Sequence, residues 1–272
     1  MSFFTAKDGT RLFYEDWGQG APVVFVSSWA LNADMWEYQI PTLVEQGLRC
    51  IVYDRRGHGR SDRTGHGYDI DTLADDLAAL IEHLDLRDFT LVGHSMGGGE
   101  VVHYLARHGS DRVARIALIS AILPFLCRTE DNPEGVPEAV FKSISGQLRE
   151  DRVQYFTQRA QAFFATHLGN KVSPELVQWM TEQCLYNSPM ALLQCWHTNV
   201  YTDFRAEMQE ITLPTLIIHG TADASALIDI TGRRSAKLVP GNIYKEYQNA
   251  GHGLFVTHKH QLNNDLLAFI QG

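Results

Sequence analysis

The chain has 272 residues, 44% of them hydrophobic, and a formal net charge of −9. That length can bury a sizeable core in one or two domains, and α/β folds of this size commonly count as one. The acidic balance argues against a nucleic-acid partner, because phosphate binding needs clustered Lys and Arg. There is no charged-then-apolar segment at the N-terminus and no apolar run of about 18 residues, so neither a signal peptide nor a membrane span is expected. Cys50, Cys127, Cys184 and Cys195 form no CxxC pair. Buried free thiols in a cytoplasmic protein are expected.

In chain order, short apolar runs alternate with longer amphipathic segments. Strands are expected at Leu12–Trp17, Val23–Val26, Cys50–Tyr53, Thr90–Gly93, Val113–Ser120, Thr215–His219 and Ile243–Tyr247. Several are continuously apolar, as parallel strands covered on both faces are. Helices are expected at Asp71–His83, Gly97–His108 and His260–Ile270. In the first, Leu73, Leu77, Leu80, Ile81 and Leu84 recur at helical spacing. The alternation implies an α/β fold, with an open, mostly parallel sheet and right-handed crossovers. It stops near Leu123. Helices are then expected at Pro137–Ile144, Glu150–Thr166, Pro174–Leu185 and Pro189–Phe204, before strand character returns at Pro214. Residues 1–122 and 213–272 are thus expected to form the core. Residues 123–212 are expected to form a helical cap over the carboxyl edge of the sheet, where ligands bind.

Gly93-His94-Ser95-Met96-Gly97 matches G-x-S-x-G between a buried strand and a helix. A turn this sharp forces Ser95 into a strained conformation, and glycines on either side let backbone approach. Ser95 is the expected nucleophile, with the Met96 N–H as an oxyanion donor. Gly97-Gly98-Gly99 is not a phosphate loop, since no G-K-[ST] follows.

A serine hydroxyl needs a base, and the base needs an orienting partner. With this motif the acid follows the serine and the histidine comes last. His252, in Gly251-His252-Gly253 after the last strand, is the expected base. The loop glycines suit a tight turn that presents the imidazole. His219 precedes the acid and is expected to be structural. The His94 side chain should point away from the serine Oγ. His58, His258 and His260 are expected to be surface or structural. Asp223, in the loop after the penultimate strand, is the expected acid, fixing the imidazole tautomer. Its rival Asp229 lies farther on, in the expected next helix. The strand after the serine helix ends Leu118-Ile119-Ser120-Ala121, with no carboxylate.

From end to end the chain resembles the α/β-hydrolase superfamily. More narrowly it is similar to the branch of aryl esterases and cofactor-free haloperoxidases, also called perhydrolases. The residues that carry this are Ala33-Asp34-Met35-Trp36, Asp54-Arg55-Arg56-Gly57-His58-Gly59-Arg60-Ser61-Asp62, Leu91 to Gly99, Thr202-Asp203-Phe204-Arg205 and Gly251-His252-Gly253. In the second segment the glycines shape a loop that Asp54 anchors. The resemblance implies an α/β-hydrolase fold and ester hydrolysis through an acyl-enzyme, with no metal and no organic cofactor. Lactone, amide or carbon–carbon bond hydrolysis and perhydrolysis or acyl transfer are alternatives on the same triad. A non-catalytic ligand receptor is the alternative from another class. The implied partner is a small ester or lactone, not nucleic acid or membrane; oligomeric state is left open, a homo-oligomer included.

One stretch departs from the branch. Its strand before the oxyanion turn usually ends in His-Gly followed by Trp or Phe; here Ser27-Ser28-Trp29 stands there. The Trp29 N–H should be the first oxyanion donor and Met96 the second. Losing one such donor can cost roughly 3–4 kcal/mol. Glycine tolerates backbone angles that serine does not, so Ser28 puts the turn in question. Its hydroxyl could instead bond nearby backbone or touch the substrate. The acid loop continues Ala224-Ser225-Ala226-Leu227-Ile228, where relatives often carry an apolar-Val-Pro segment. Pocket candidates are Ser28, Trp29, Leu123, Leu126, Phe141, Phe163, Leu227, Ile228 and Phe255, an apolar set that suits a small acyl or aryl ester.

Overall fold

A computed structural model describes residues 2–272. Its strands are β1 (Ser2–Thr5), β2 (Arg11–Trp17), β3 (Ala21–Val26), β4 (Leu48–Tyr53), β5 (Phe89–His94), β6 (Val113–Ile119), β7 (Thr215–Gly220) and β8 (Ile243–Tyr247). They form one sheet in the order β1-β2-β4-β3-β5-β6-β7-β8. β1 and β2 pair antiparallel, as do β2 and β4; all other pairs are parallel. Val24 lies opposite Ile51 on one side and Leu91 on the other, which puts β3 beside the serine strand β5.

The helices are α1 (Ile40–Glu45), α2 (Ile70–His83), α3 (Met96–His108), α4 (Glu138–Thr157), α5 (Ala160–Phe164), α6 (Pro174–Tyr186), α7 (Pro189–Tyr201), α8 (Arg205–Gln209), α9 (Gly232–Leu238), α10 (Leu254–Thr257) and α11 (Lys259–Gln271). Successive strand residues point to opposite faces, so the sheet feeds two cores. Val24, Val26, Ile51, Leu91 and Leu118 pack with Leu77, Leu80 and Ile81 of α2 and Val101 and Val102 of α3. Val23, Phe25, Val52, Val92 and Ile119 pack on the other face with Leu43 of α1 and Leu262 and Leu266 of α11. A strand that feeds both cores has no polar face, which is why β5 is buried at every position.

The expected strands all form, with ends shifted by at most two residues. β1 is additional: it has four residues, only Phe4 is buried, and it leaves no periodic signal. Between β6 and β7 the chain is helical, from α4 through α8. There the segmentation differs from expectation. α4 runs on through Asp151, whose non-helical φ of −151° kinks it, and the expected Glu150–Thr166 helix breaks before α5. The expected Pro189–Phe204 helix ends at Tyr201. The starts of α6 and α7 are clear in the sequence. Ser173 and Ser188 cap the helix N–H groups, and Pro174 and Pro189 occupy the first turn, where a missing N–H costs nothing. The four cysteines are free, and among the described residues no helix is long and apolar enough to cross a membrane.

His103 joins three helices: Nδ1 lies 2.8 Å from Glu207 Oε1 of α8 and Nε2 lies 2.6 Å from Asp71 Oδ1 of α2. The Glu207 bond raises its pKa, burial opposes, and the Asp71 bond adds to the rise. A raised folded pKa contributes stability that is complete below the unfolded value and lost as pH rises through the folded one. Thermal melts from about pH 6 to about pH 9 should therefore show a fall in Tm that His103→Gln lacks. Parallel curves for the two proteins would remove His103 from the pH response.

Candidate active site

The turn from β5 into α3 holds Ser95 at φ 56° and ψ −118°. Such backbone costs about 1–3 kcal/mol for a residue with a Cβ and persists only where its surroundings enforce it. The neighbours do so. The Ser95 N–H donates to Ile119 O at 3.0 Å, and its carbonyl accepts from Gly98 N at 3.0 Å. A Cβ on Gly93 would lie 2.5 Å from Gly97 O, and one on Gly97 would strike the Val26 carbonyl. The other two glycines of the triplet have separate reasons. A Cβ on Gly98 would meet Ala121 at 2.6 Å, and one on Gly99 would meet the Phe204 ring at 2.8 Å. The Thr202–Arg205 segment thus sits where α3 has no side chain to exclude it.

His252 follows β8, and its Nδ1 lies 2.7 Å from Asp223 Oδ2 in the loop after β7. Asp223 Oδ1 accepts the N–H groups of Ser225 (2.9 Å) and Ala226 (2.8 Å). Burial pushes the Asp223 carboxyl up, but the neighbouring imidazoles and their hydrogen bonds outweigh it and hold the group ionised, below the usual carboxylate range. His219 is the second imidazole, 3.4 Å from Asp223 Oδ2, with its Nε2 bonded to Ala226 O at 2.7 Å. Asp229 is not in a helix: it lies in a turn, is exposed, and pairs with Arg233 at 2.6 Å.

His94 does not point at Ser95. It is buried, and its Nε2 bonds the carbonyl of His252 at 3.0 Å, so it buttresses the His252 loop. Burial and the nearby His252 keep it neutral, well below the ordinary histidine pKa. His58 is fully buried, bonds Arg56 O, and is pushed down by burial to about 3. The loop glycines serve a close approach as well as a tight turn. A Cβ on Gly251 would meet Phe163 O at 2.5 Å, and one on Gly253 would meet the Phe164 ring at 2.5 Å. Helix α5 is pressed directly onto the His252 loop.

The Ser27-Ser28 turn is built from beneath. Arg55 and Glu100 are both fully buried and paired, with Arg55 Nε 2.7 Å from Glu100 Oε1. The same guanidinium donates to Ser27 O (2.7 Å) and Ser28 O (3.2 Å). Ser27 Oγ donates to Asn32 O at 3.1 Å. Ser28 is outside the left-handed region; the positive φ of this turn, 64°, falls on Ala30. A serine at position 28 therefore carries no glycine penalty. Asn187 Nδ2 holds Ala30 O at 2.6 Å. Neither the Trp29 nor the Met96 N–H donates to a backbone oxygen among the described residues. Asp54 anchors the neighbouring loop as expected, accepting from Ala33 N (2.8 Å) and Arg60 N (2.7 Å). Arg55, Glu100 and Asn187 were not singled out by the sequence. Arg55 stands inside the Asp54–Asp62 segment and Glu100 directly follows the glycine triplet, so position was the available signal.

Ser28, Trp29, Ser95 and His252 share one cavity of about 660 Å³ beneath α4 to α7. Leu126, Phe141, Phe163 and Leu227 also line it. Trp29 anchors an aromatic wall, with ring centroids 5.1 Å from Trp196 and 5.7 Å from Phe156, and its Nε1 donates to Leu192 O of α7 at 3.0 Å. Three expected pocket residues are elsewhere. Leu123 turns into the sheet core. Ile228 is buried in the loop before α9, off the wall that its neighbour Leu227 lines. Phe255 packs behind the site, 5.1 Å from His94 and 6.3 Å from Trp36. Asn199, which the sequence did not mark, is a polar exception in the wall: it is 5% exposed, and its Oδ1 has no partner.

A serine at a strained strand–helix turn, a carboxylate-bound histidine and a helix-covered cavity on this sheet define a hydrolase-type site. The family model for the alpha/beta hydrolase fold matches residues 21–259. A non-heme chloroperoxidase of Kitasatospora aureofaciens is 41% identical over 273 residues, covering 99% of both chains. A bifunctional esterase/perhydrolase of Acinetobacter calcoaceticus is 39% identical over 282 residues, covering 100% of both. A bromoperoxidase structure from Bacillus anthracis superposes with a TM-score of 0.94 at 36% identity, over the whole of both chains. The chain belongs to the α/β-hydrolase family, and within it to the branch of non-heme haloperoxidases and esterases.

Removing one partner of a buried ion pair leaves the other charge uncompensated and typically costs about 3–5 kcal/mol. Glu100→Gln should lower the urea unfolding free energy by about that amount. A loss under about 1 kcal/mol, the scale of a surface pair, would show that Arg55 finds another counter-charge.

Proposed function

We propose that the protein hydrolyses small carboxylic esters, aryl or alkyl, through an acyl-enzyme on Ser95. His252 takes the hydroxyl proton as Ser95 attacks the ester carbonyl. Asp223 holds the imidazole with Nδ1 protonated and stabilises the imidazolium that forms. The Trp29 and Met96 N–H groups receive the oxyanion. The leaving alkoxide takes the proton back from His252. Water, deprotonated by His252, then attacks the acyl carbonyl and releases the acid and Ser95.

The observation that carries the proposal is the 2.7 Å contact between His252 Nδ1 and Asp223 Oδ2, at a histidine that shares a cavity with the strained Ser95. Residues 123–212 act as the cap: they supply α4 to α7, whose Phe141, Phe163 and Trp196 make the apolar wall. That wall favours a small acyl or aryl group over a charged polymer.

Hydrogen peroxide as acyl acceptor is the second reading. It is favoured by the full-length relative named as a bifunctional esterase/perhydrolase. Peroxide would replace water in the last step and leave as the peracid, with the same proton transfers.

Ser95→Ala should lower turnover of p-nitrophenyl acetate by roughly 10⁴-fold or more and abolish labelling by a fluorophosphonate probe. Sustained turnover by the variant would refute the assignment. A single burst without turnover in the native protein would point to a ligand receptor instead.

A further inference from the structure

The wall of the active-site cavity carries an unpaired positive charge. The chain has 32 Asp and Glu against 23 Lys and Arg, and many of its arginines find a carboxylate, though exposed Arg63, Arg128 and Arg149 form no such pair among the described residues. Arg205 pairs with Asp131 and Asp203, Arg233 with Asp229 and Glu246, and Arg107 with Asp75. Arg159, between α4 and α5, lines the cavity and makes no such pair among the described residues. Its guanidinium lies over the Tyr155 ring, 4.2 Å from the centroid. Tyr155 is buried, and its ring is 6.4 Å from that of Trp29, at the oxyanion turn. The guanidinium is thus held against a ring that neighbours the Trp29 side chain, by a contact with the ring face that consumes none of its N–H donors.

No Asp or Glu side chain lines the cavity. Asp223, the nearest functional carboxylate, is buried behind His252, with one oxygen held by Nδ1 of that ring and the other by backbone N–H groups. An acidic protein therefore presents, at this one wall, a cation with five donors and no competing anion.

We propose that Arg159 selects esters bearing a second, ionised carboxylate, by pairing with that anion while the ester carbonyl lies at Ser95. Half-esters of short dicarboxylic acids have this chemistry, with an apolar spacer for the aromatic wall. A guanidinium binds carboxylate through two parallel N–H bonds, which fixes orientation as well as affinity. The substrate class rests on the ester-hydrolase reading; the anion site at Arg159 does not.

The test compares kcat/KM for monomethyl and dimethyl esters of straight-chain dicarboxylic acids of increasing length, from succinate upward, at low and high salt. The native protein should prefer one of the half-esters to its diester, and added salt should erode the preference. Arg159→Gln should cut the preference about fivefold or more, through KM, while Arg159→Lys keeps part of it. An unchanged preference in Arg159→Gln overturns the proposal, as does a native preference for every diester. Binding of monomethyl glutarate to Ser95→Ala, followed by tryptophan fluorescence, reads the anion site without turnover. It should weaken by a similar factor when Arg159→Gln is added; equal affinities overturn the proposal. Retained turnover in Ser95→Ala would instead count against the nucleophile alone.

Discussion

The buried pair of Arg55 and Glu100 is the constraint on which the candidate-site end of the sheet depends. Two charges removed from water are costly unless each finds full compensation. Here Arg55 finds it in Glu100 and in the carbonyls of Ser27 and Ser28, and Glu100 finds it in Arg55 and the Tyr53 hydroxyl at 3.1 Å. Glu100 belongs to α3, the helix that begins after Ser95. Ser27 and Ser28 belong to the turn that presents Trp29. One ion pair thus sets the distance between the two backbone segments proposed to share the oxyanion.

The glycines complete that arrangement by removing what would hold the layers apart. Gly97 lets α3 close on the end of β3, Gly98 lets it close on Ala121, and Gly99 admits Phe204 from the end of the helical segment. Gly251 and Gly253 do the same for α5 at the His252 loop. The segment between β6 and β7 is therefore seated on both turns, through Phe204 at the Ser95 turn and through Phe163 and Phe164 at the His252 turn. The cavity between them is walled by Trp29, Tyr155, Phe156 and Trp196, with Arg159 and Asn199 among its polar lining.

Much of this could be read in the chain itself. Apolar runs of strand length marked the parallel strands, and the strand–Gly-x-Ser-x-Gly–helix order marked Ser95. Asp223 and His252 followed from chain order and from loops at strand ends. The failures also have physical causes. β1 is too short and too exposed to show a period. The kink at Asp151 comes from a local cap that apolar periodicity does not record, its Oδ1 accepting the Gln154 N–H at 2.8 Å, and the helix end at Tyr201 carries no proline to mark it. Leu123, Ile228 and Phe255 are apolar residues beside the site, and composition does not tell a cavity wall from a core.

The sequence by itself determined seven of the eight strands and the strained turn at Ser95, because these follow from local periodicity and from a turn that only certain residues can make. Tertiary structure alone decided how Ser27-Ser28 replaces His-Gly: the positive φ moves to Ala30, and Arg55 holds the serine carbonyls from beneath. It also decided that His94 buttresses the His252 loop and that Arg159 faces the cavity without a partner. Those outcomes depend on contacts between segments tens to more than a hundred residues apart, and no local pattern records which of many possible partners a buried polar group will meet.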